Sequence, residues 1–189
     1  MTISMNRREG AGTGVAIWLT GMSGAGKSTI AARLHELLSE QDRRIEILDG
    51  DEIREELSRD LTFSREDREA NVRRIAYVAS LLVKHGVTVI TAAISPYAQG
   101  RADARKRIGR FIEVHVNCTI DELSRRDVKG LYARALRGEI PNFTGISDPY
   151  EAPENPDVVV DSSTETVEQS VAKILAVLER YDACELPTG

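Results

Sequence analysis

Apolar residues in this chain gather in short runs separated by polar stretches with helical spacing. The runs are Val15-Ala-Ile-Trp-Leu-Thr20, Ile45-Glu-Ile-Leu48, Val87 to Ala93, Phe111-Ile-Glu-Val-His-Val116 and Val158-Val-Val160. Their length and β-branched content predict strands. Ile30 to Leu38 has the spacing of a helix, and Glu66 to His85 carries an apolar stripe of Val72, Ile75, Val78, Ala79 and Leu82. Ser64, three residues ahead of Asp67, supplies a capping signal for that second helix. A last helix is expected from about Thr164 to Tyr181, with Val167, Val171, Ile174, Leu175 and Leu178 facing inward. Strands alternating with helices imply βαβ units. The expected class is therefore α/β, a three-layer fold with a mostly parallel sheet of about five strands and helices on both faces. Ligands in such sheets sit beyond the carboxyl ends of the strands. No internal repeat or low-complexity segment interrupts the pattern.

The loop after the first strand changes the picture most. Gly21-Met-Ser-Gly-Ala-Gly26-Lys27-Ser28 is a complete G-x-x-x-x-G-K-[ST] phosphate loop, and it runs from a strand into a helix as the motif requires. Glycines let backbone amides turn in around phosphate oxygens, and the helix that follows presents its positive N-terminus. Gly21, Ser23, Gly24, Ala25, Gly26 and Thr29 form the cradle, Lys27 reaches the β- and γ-phosphates, and Ser28 ligates Mg²⁺. The expected fold narrows to a P-loop NTPase or kinase, with Mg²⁺ and ATP as its cofactor pair. Gly10-Ala-Gly12-Thr-Gly14 only superficially resembles a dinucleotide fingerprint. It precedes the first strand and reads as part of a flexible arm over residues 1–13.

Composition limits the alternatives. The 189 residues suit one domain over 1–189, with 41% hydrophobic and 29% charged residues as in ordinary globular proteins. A net charge of −5 argues against a broad nucleic-acid surface. No apolar run is long enough for a bilayer, and the N-terminus lacks a secretory h-region, so no membrane role is expected. Cys118 and Cys184 have no metal-ligand spacing, and a reducing cytoplasm is the simplest location. His35, His85 and His115 likewise show no metal spacing.

Three further clusters fall at strand ends or helix starts. Leu48-Asp49-Gly50-Asp51-Glu52-Ile53-Arg54 reads as an ordinary turn with a helix cap, or as a turn that aims carboxylates at the phosphate loop. Arg68 and Asn71 share one helix face. A guanidinium there suits capture of phosphate or sulfate, and an amide suits a base or ribose edge. Arg65, Arg73 and Arg74 read as solvated helix surface. Ile94-Ser95-Pro96-Tyr97 ends the third strand at its proline. Asp127 to Pro156, rich in glycine, proline and charge, is too long for a structureless loop in a compact domain and reads as a lid over the nucleotide.

Together these residues resemble the adenylylsulfate kinase family, which phosphorylates adenosine 5′-phosphosulfate (APS) on its ribose 3′-hydroxyl. The matching segments are Trp18 to Thr29, Leu48-Asp-Gly-Asp51, Phe63 to Asn71, Ile94-Ser-Pro-Tyr97, Arg126-Asp-Val-Lys-Gly-Leu-Tyr132, Gly138-Glu-Ile140 and Phe143-Thr-Gly-Ile146. They cover roughly residues 15 to 162, and the lid and Phe143 runs are the most specific. The resemblance implies that Arg54, Phe63, Arg68, Asn71, Ile94 and Ser95 line the APS pocket and that Lys129 reaches in from the lid. It also implies that Phe143 stacks on adenine opposite Phe63, with Thr144 beside it. Arg126 is expected on the ATP side. Asp51 is assigned to orienting or deprotonating the hydroxyl and Asp49 to Mg²⁺, and the two roles can be exchanged. Ser95 is expected to act as a pocket residue and not as a covalent carrier of phosphate. A homodimer and a functional link to an ATP sulfurylase are further expectations. Glu52, Glu55-Glu56, Thr62 and Ser147 depart from the family pattern, which has Asn, His-Gly, Gly and an acidic residue there. Two other readings stand beside this one: a P-loop kinase of another small alcohol, and a non-catalytic nucleotide-binding subunit.

Overall fold

The computed structural model describes residues 14–127 and 129–183. The arm expected over residues 1–13 and Cys184 lie outside the described residues. In chain order the elements are β1 Ala16–Thr20, α1 Lys27–Ser39, β2 Ile45–Asp49, α2 Gly50–Glu56, α3 Arg65–Lys84 and β3 Thr88–Ala92. There follow α4 Ala98–Ile108, β4 Phe111–Asn117, α5 Ile120–Arg126, α6 Leu131–Leu136, β5 Val158–Asp161 and α7 Val167–Ala183. The five strands are all parallel, in the order β2-β3-β1-β4-β5.

Alternation along the strands divides the core in two. Ile17, Leu19, Ile90, Ile112 and Val114 face α1 and α7, which contribute Ile30, Leu34, Val171, Ile174 and Leu178. Ala16, Trp18, Val89 and Phe111 face α3 and α4, meeting Val72, Ile75, Ala79 and Ala104. The expected three layers are present. Val78 and Leu82, placed on the α3 stripe from spacing, are partly buried at its margin, while Ala76 and Val83 complete the buried face. Ser64 caps α3 as its spacing implied, its Oγ accepting the Asp67 amide at 3.2 Å.

Strand order decides where ligands gather. The loops leaving β1 and β3 lie side by side, yet their helices cover opposite faces of the sheet. A crevice opens where the connections diverge, beyond the carboxyl ends of those strands. The phosphate loop and the Ile94–Tyr97 turn form its two lips.

Candidate active site

The phosphate loop keeps its shape through backbone freedom that side chains would deny it. Gly26 has φ 96° and caps α1, a conformation available at little cost only to glycine. A Cβ at Gly21 would stand 2.4 Å from the Val116 carbonyl oxygen, so this strand-to-loop exit also admits nothing larger. Lys27, only 8% exposed, folds back to donate from Nζ to the Gly21 and Met22 carbonyls at 2.9 and 2.8 Å. Desolvation lowers its pKa to about 8, against the opposing pull of Asp49 and Asp51. An anion in the loop would restore the charge that burial penalises.

Beside the loop, the Ser28 hydroxyl donates to Asp49 Oδ2 at 2.7 Å. Asp49 Oδ1 accepts the Asp51 amide at 2.9 Å and caps α2. The turn-and-cap reading and the carboxylate reading therefore both hold for Asp49. Asp51 differs: its carboxylate is largely exposed and ion-paired with Lys129. A hydroxyl and a carboxylate this close are hard oxygen donors of the kind Mg²⁺ takes alongside substrate phosphates.

One cavity of about 340 Å³ joins this machinery to the second cluster. It is lined by Ser23, Gly24, Gly26, Lys27, Ser28, Thr29, Asp49 and Asp51 on one side and by Arg54, Phe63, Arg68, Asn71, Ile94, Ser95 and Lys129 on the other. The Arg54 and Arg68 guanidinium carbons lie 4.6 and 5.5 Å from the centre of the Phe63 ring. Burial first, and then the Arg68 charge, hold the Arg54 pKa below its ordinary value. Asn71 is 7% exposed, and its Oδ1 has no hydrogen-bond partner. A buried acceptor left unmade is costly unless something else fills it.

Three other expected residues, Phe143, Thr144 and Arg126, lie outside the cavity lining. Phe143 is 9% exposed and packs into the core, its ring edge-on to Tyr132 at 5.0 Å, and it does not line the cavity. Tyr132 arrives from α6 to cover Phe143. Thr144 is buried beside it, and its Oγ1 is without a partner. Arg126 pairs with Glu122 and donates to the Ser162 carbonyl, outside the cavity wall. Ser95 does line the cavity, but its hydroxyl accepts the Trp18 Nε1–H at 3.1 Å. The Tyr132 hydroxyl, which donates to the Ser23 carbonyl at 2.8 Å, ties the lid to the phosphate loop. Its segment falls within the lid read from composition, but nothing local in the sequence signals that contact.

A family model described as adenylylsulphate kinase matches residues 13–161. The chain belongs to the adenylylsulphate kinase family. The adenylyl-sulfate kinase of Deinococcus deserti is 52% identical over 169 residues, 89% of this chain and 93% of that protein. A probable bifunctional SAT/APS kinase of Sorangium cellulosum is 56% identical over 88% of this chain, which spans only 29% of that longer protein. Among solved structures, the APS kinase of Mycobacterium tuberculosis in complex with AMPPNP and APS superposes with a TM-score of 0.85 at 41% identity. That match covers 88% of this chain and 98% of that one. As a member of the adenylylsulphate kinase family, the protein is an ATP-dependent phosphotransferase acting on adenylyl sulfate. No helix among the described residues is long and apolar enough to cross a membrane.

Proposed function

We propose that the cavity works by placing the γ-phosphate of ATP and the ribose 3′-hydroxyl of APS in line, giving 3′-phosphoadenylylsulfate and ADP. The observation that carries this assignment of the site is one continuous cavity with a phosphate loop on one wall and Arg54, Arg68 and Asn71, whose Oδ1 has no partner, on the other. The amides of the loop and Lys27 hold the phosphate chain. Arg54 and Arg68 attract the phosphosulfate, Asn71 Oδ1 accepts a hydrogen bond from the nucleoside, and Phe63 offers a face for stacking. Asp51 orients the attacking hydroxyl and takes its proton once Lys129 turns from the carboxylate to the ligand. Ser28 and Asp49 would hold Mg²⁺, which supplies charge neutralisation across the phosphate oxygens. Catalysis in this reading is positioning plus electrostatics.

The whole chain is read as one kinase domain working in the cytoplasm, where the buried free thiol of Cys118 would stay reduced. A homodimer is the assembly we carry forward. A functional link to an ATP sulfurylase draws support from the similarity to part of a bifunctional SAT/APS kinase. The test is a coupled assay of ADP release with and without APS. ADP should appear only when APS is present. Release at the same rate without APS, or none with it, would return the site to another small alcohol or to a binding-only role.

A further inference from the structure

Ser95 adopts φ 46°, a left-handed conformation that residues with side chains rarely hold. Such a conformation persists only where its surroundings over-determine it. Trp18 holds the Ser95 side chain, and the Thr20 hydroxyl donates to the Ile94 carbonyl at 2.7 Å. The Ser95 carbonyl itself is held by Arg101 Nη1 at 2.8 Å. Arg101 stands on α4, is 3% exposed, and is not among the residues lining the cavity.

The rest of its guanidinium reaches two more segments. Nη2 donates to the Glu151 carbonyl at 2.7 Å, and Nε donates to Glu113 of β4 at 2.8 Å. Glu151 is in turn bound to the same turn, its amide donating to the Pro96 carbonyl at 2.8 Å and its carboxylate accepting the Ala98 amide at 2.7 Å. Just upstream, Asp148 accepts the Tyr97 hydroxyl at 2.8 Å. One planar fork therefore joins the left-handed turn on the cavity wall to the segment returning from Phe143. Glu113 balances its charge where an unpaired guanidinium would be costly.

We propose that Arg101 is a positioning residue of the acceptor site, fixing the Ile94–Ser95 wall through the Ser95 and Glu151 carbonyls. The proposal rests on the reading that this wall receives APS. Acceptor binding, and not nucleotide binding, depends on its two carbonyl bonds. An ammonium in its place can pair with Glu113 but cannot span both carbonyls in one plane.

The full-length protein is compared with Arg101→Lys, Arg101→Met and Leu178→Ala, the last removing a buried side chain of α7 on the opposite face of the sheet. KM for APS, Kd for a non-hydrolysable ATP analogue, and Tm are measured for each. Both Arg101 variants should raise KM for APS about tenfold or more, the scale expected for a slightly misplaced binding wall. Their Kd for the analogue should stay within about twofold of the wild type. Arg101→Lys should regain part of the Tm lost in Arg101→Met without regaining KM, and it decides the matter if Arg101→Met does not fold. Leu178→Ala should lower Tm and leave KM for APS unchanged. A wild-type KM in Arg101→Lys, or an equal rise of KM in Leu178→Ala, overturns the positioning role alone. If the wild type shows no APS-dependent ADP release, the functional reading falls and this proposal with it.

Discussion

Lys27 shows how burial prepares a side chain for a ligand. Its pKa, lowered to about 8 chiefly by desolvation, means that the ligand-free protein begins to lose that charge just above neutrality. A phosphate chain binds the charged form. Affinity for an ATP analogue should be flat below pH 8 and then weaken by up to about tenfold per pH unit, until the pKa of the bound state is reached. Lys27→Ala should abolish turnover and remove this slope, as titration calorimetry across pH would show. The same depressed pKa fixes the sign for stability. Between about 8 and the ordinary 10.5, the unfolded chain binds a proton that the folded one does not, so Lys27 destabilises at low pH and less so as pH rises. The Ala variant should accordingly melt no lower than the wild type at pH 7. Near-normal turnover in it would remove Lys27 from the mechanism.

At the scale of elements, the segment from Asp127 to Pro156 is two things in succession. Its first part carries α6, with Tyr132 buried under the phosphate loop, Lys129 paired to Asp51, and Leu136 62% exposed. Its second part is fastened: Phe143 into the core, Ser147 accepting the Phe143 amide at 2.9 Å, Asp148 to Tyr97, and Glu151 to Pro96 and Arg101. Closure on ligand is therefore expected of residues 129–140 alone. These hold basic side chains that anions would draw inward, with Gly130 and Gly138 at φ 64° and 74° as flexing points. Hydrogen exchange should show residues 129–140 slowing when ADP and APS are both bound, while residues 143–151 stay protected in either state. Equal protection of residues 129–140 with and without ligands would make the whole segment scaffold.

For the molecule as a whole, Trp18 links stability to the site. It is fully buried in β1, stacks on Phe111 of β4 with ring centres 5.4 Å apart, and donates to Ser95 on the cavity wall. Trp18→Phe removes the donor and part of the volume together. Such a change should cost about 2–4 kcal/mol in denaturant unfolding, from a lost buried hydrogen bond and a small cavity. KM for APS should rise in the same variant because Ser95 loses a support. Unchanged unfolding free energy would show that the core closes over the gap.

The chain's own pattern determined the layers. Short apolar runs, buried along their whole length in β1 and β3, alternate with helix-spaced stretches as a parallel sheet covered on both faces requires, and the G-x-x-x-x-G-K-S loop carries its chemistry within a few neighbouring residues. Asp49, Arg68 and Asn71 were legible for the same reason, standing at a strand end or on one helix turn, whereas Arg54 came only with the family resemblance. Tertiary structure alone decided the strand order, which sets the phosphate loop beside Ile94–Tyr97. It also decided the burial of Phe143 under Tyr132 and the reach of Arg101 to Ser95 and Glu151. These depend on contacts between segments far apart in sequence, where no local spacing constrains which side chain meets which. Short-range periodicity records which face an element buries; only packing selects the partner.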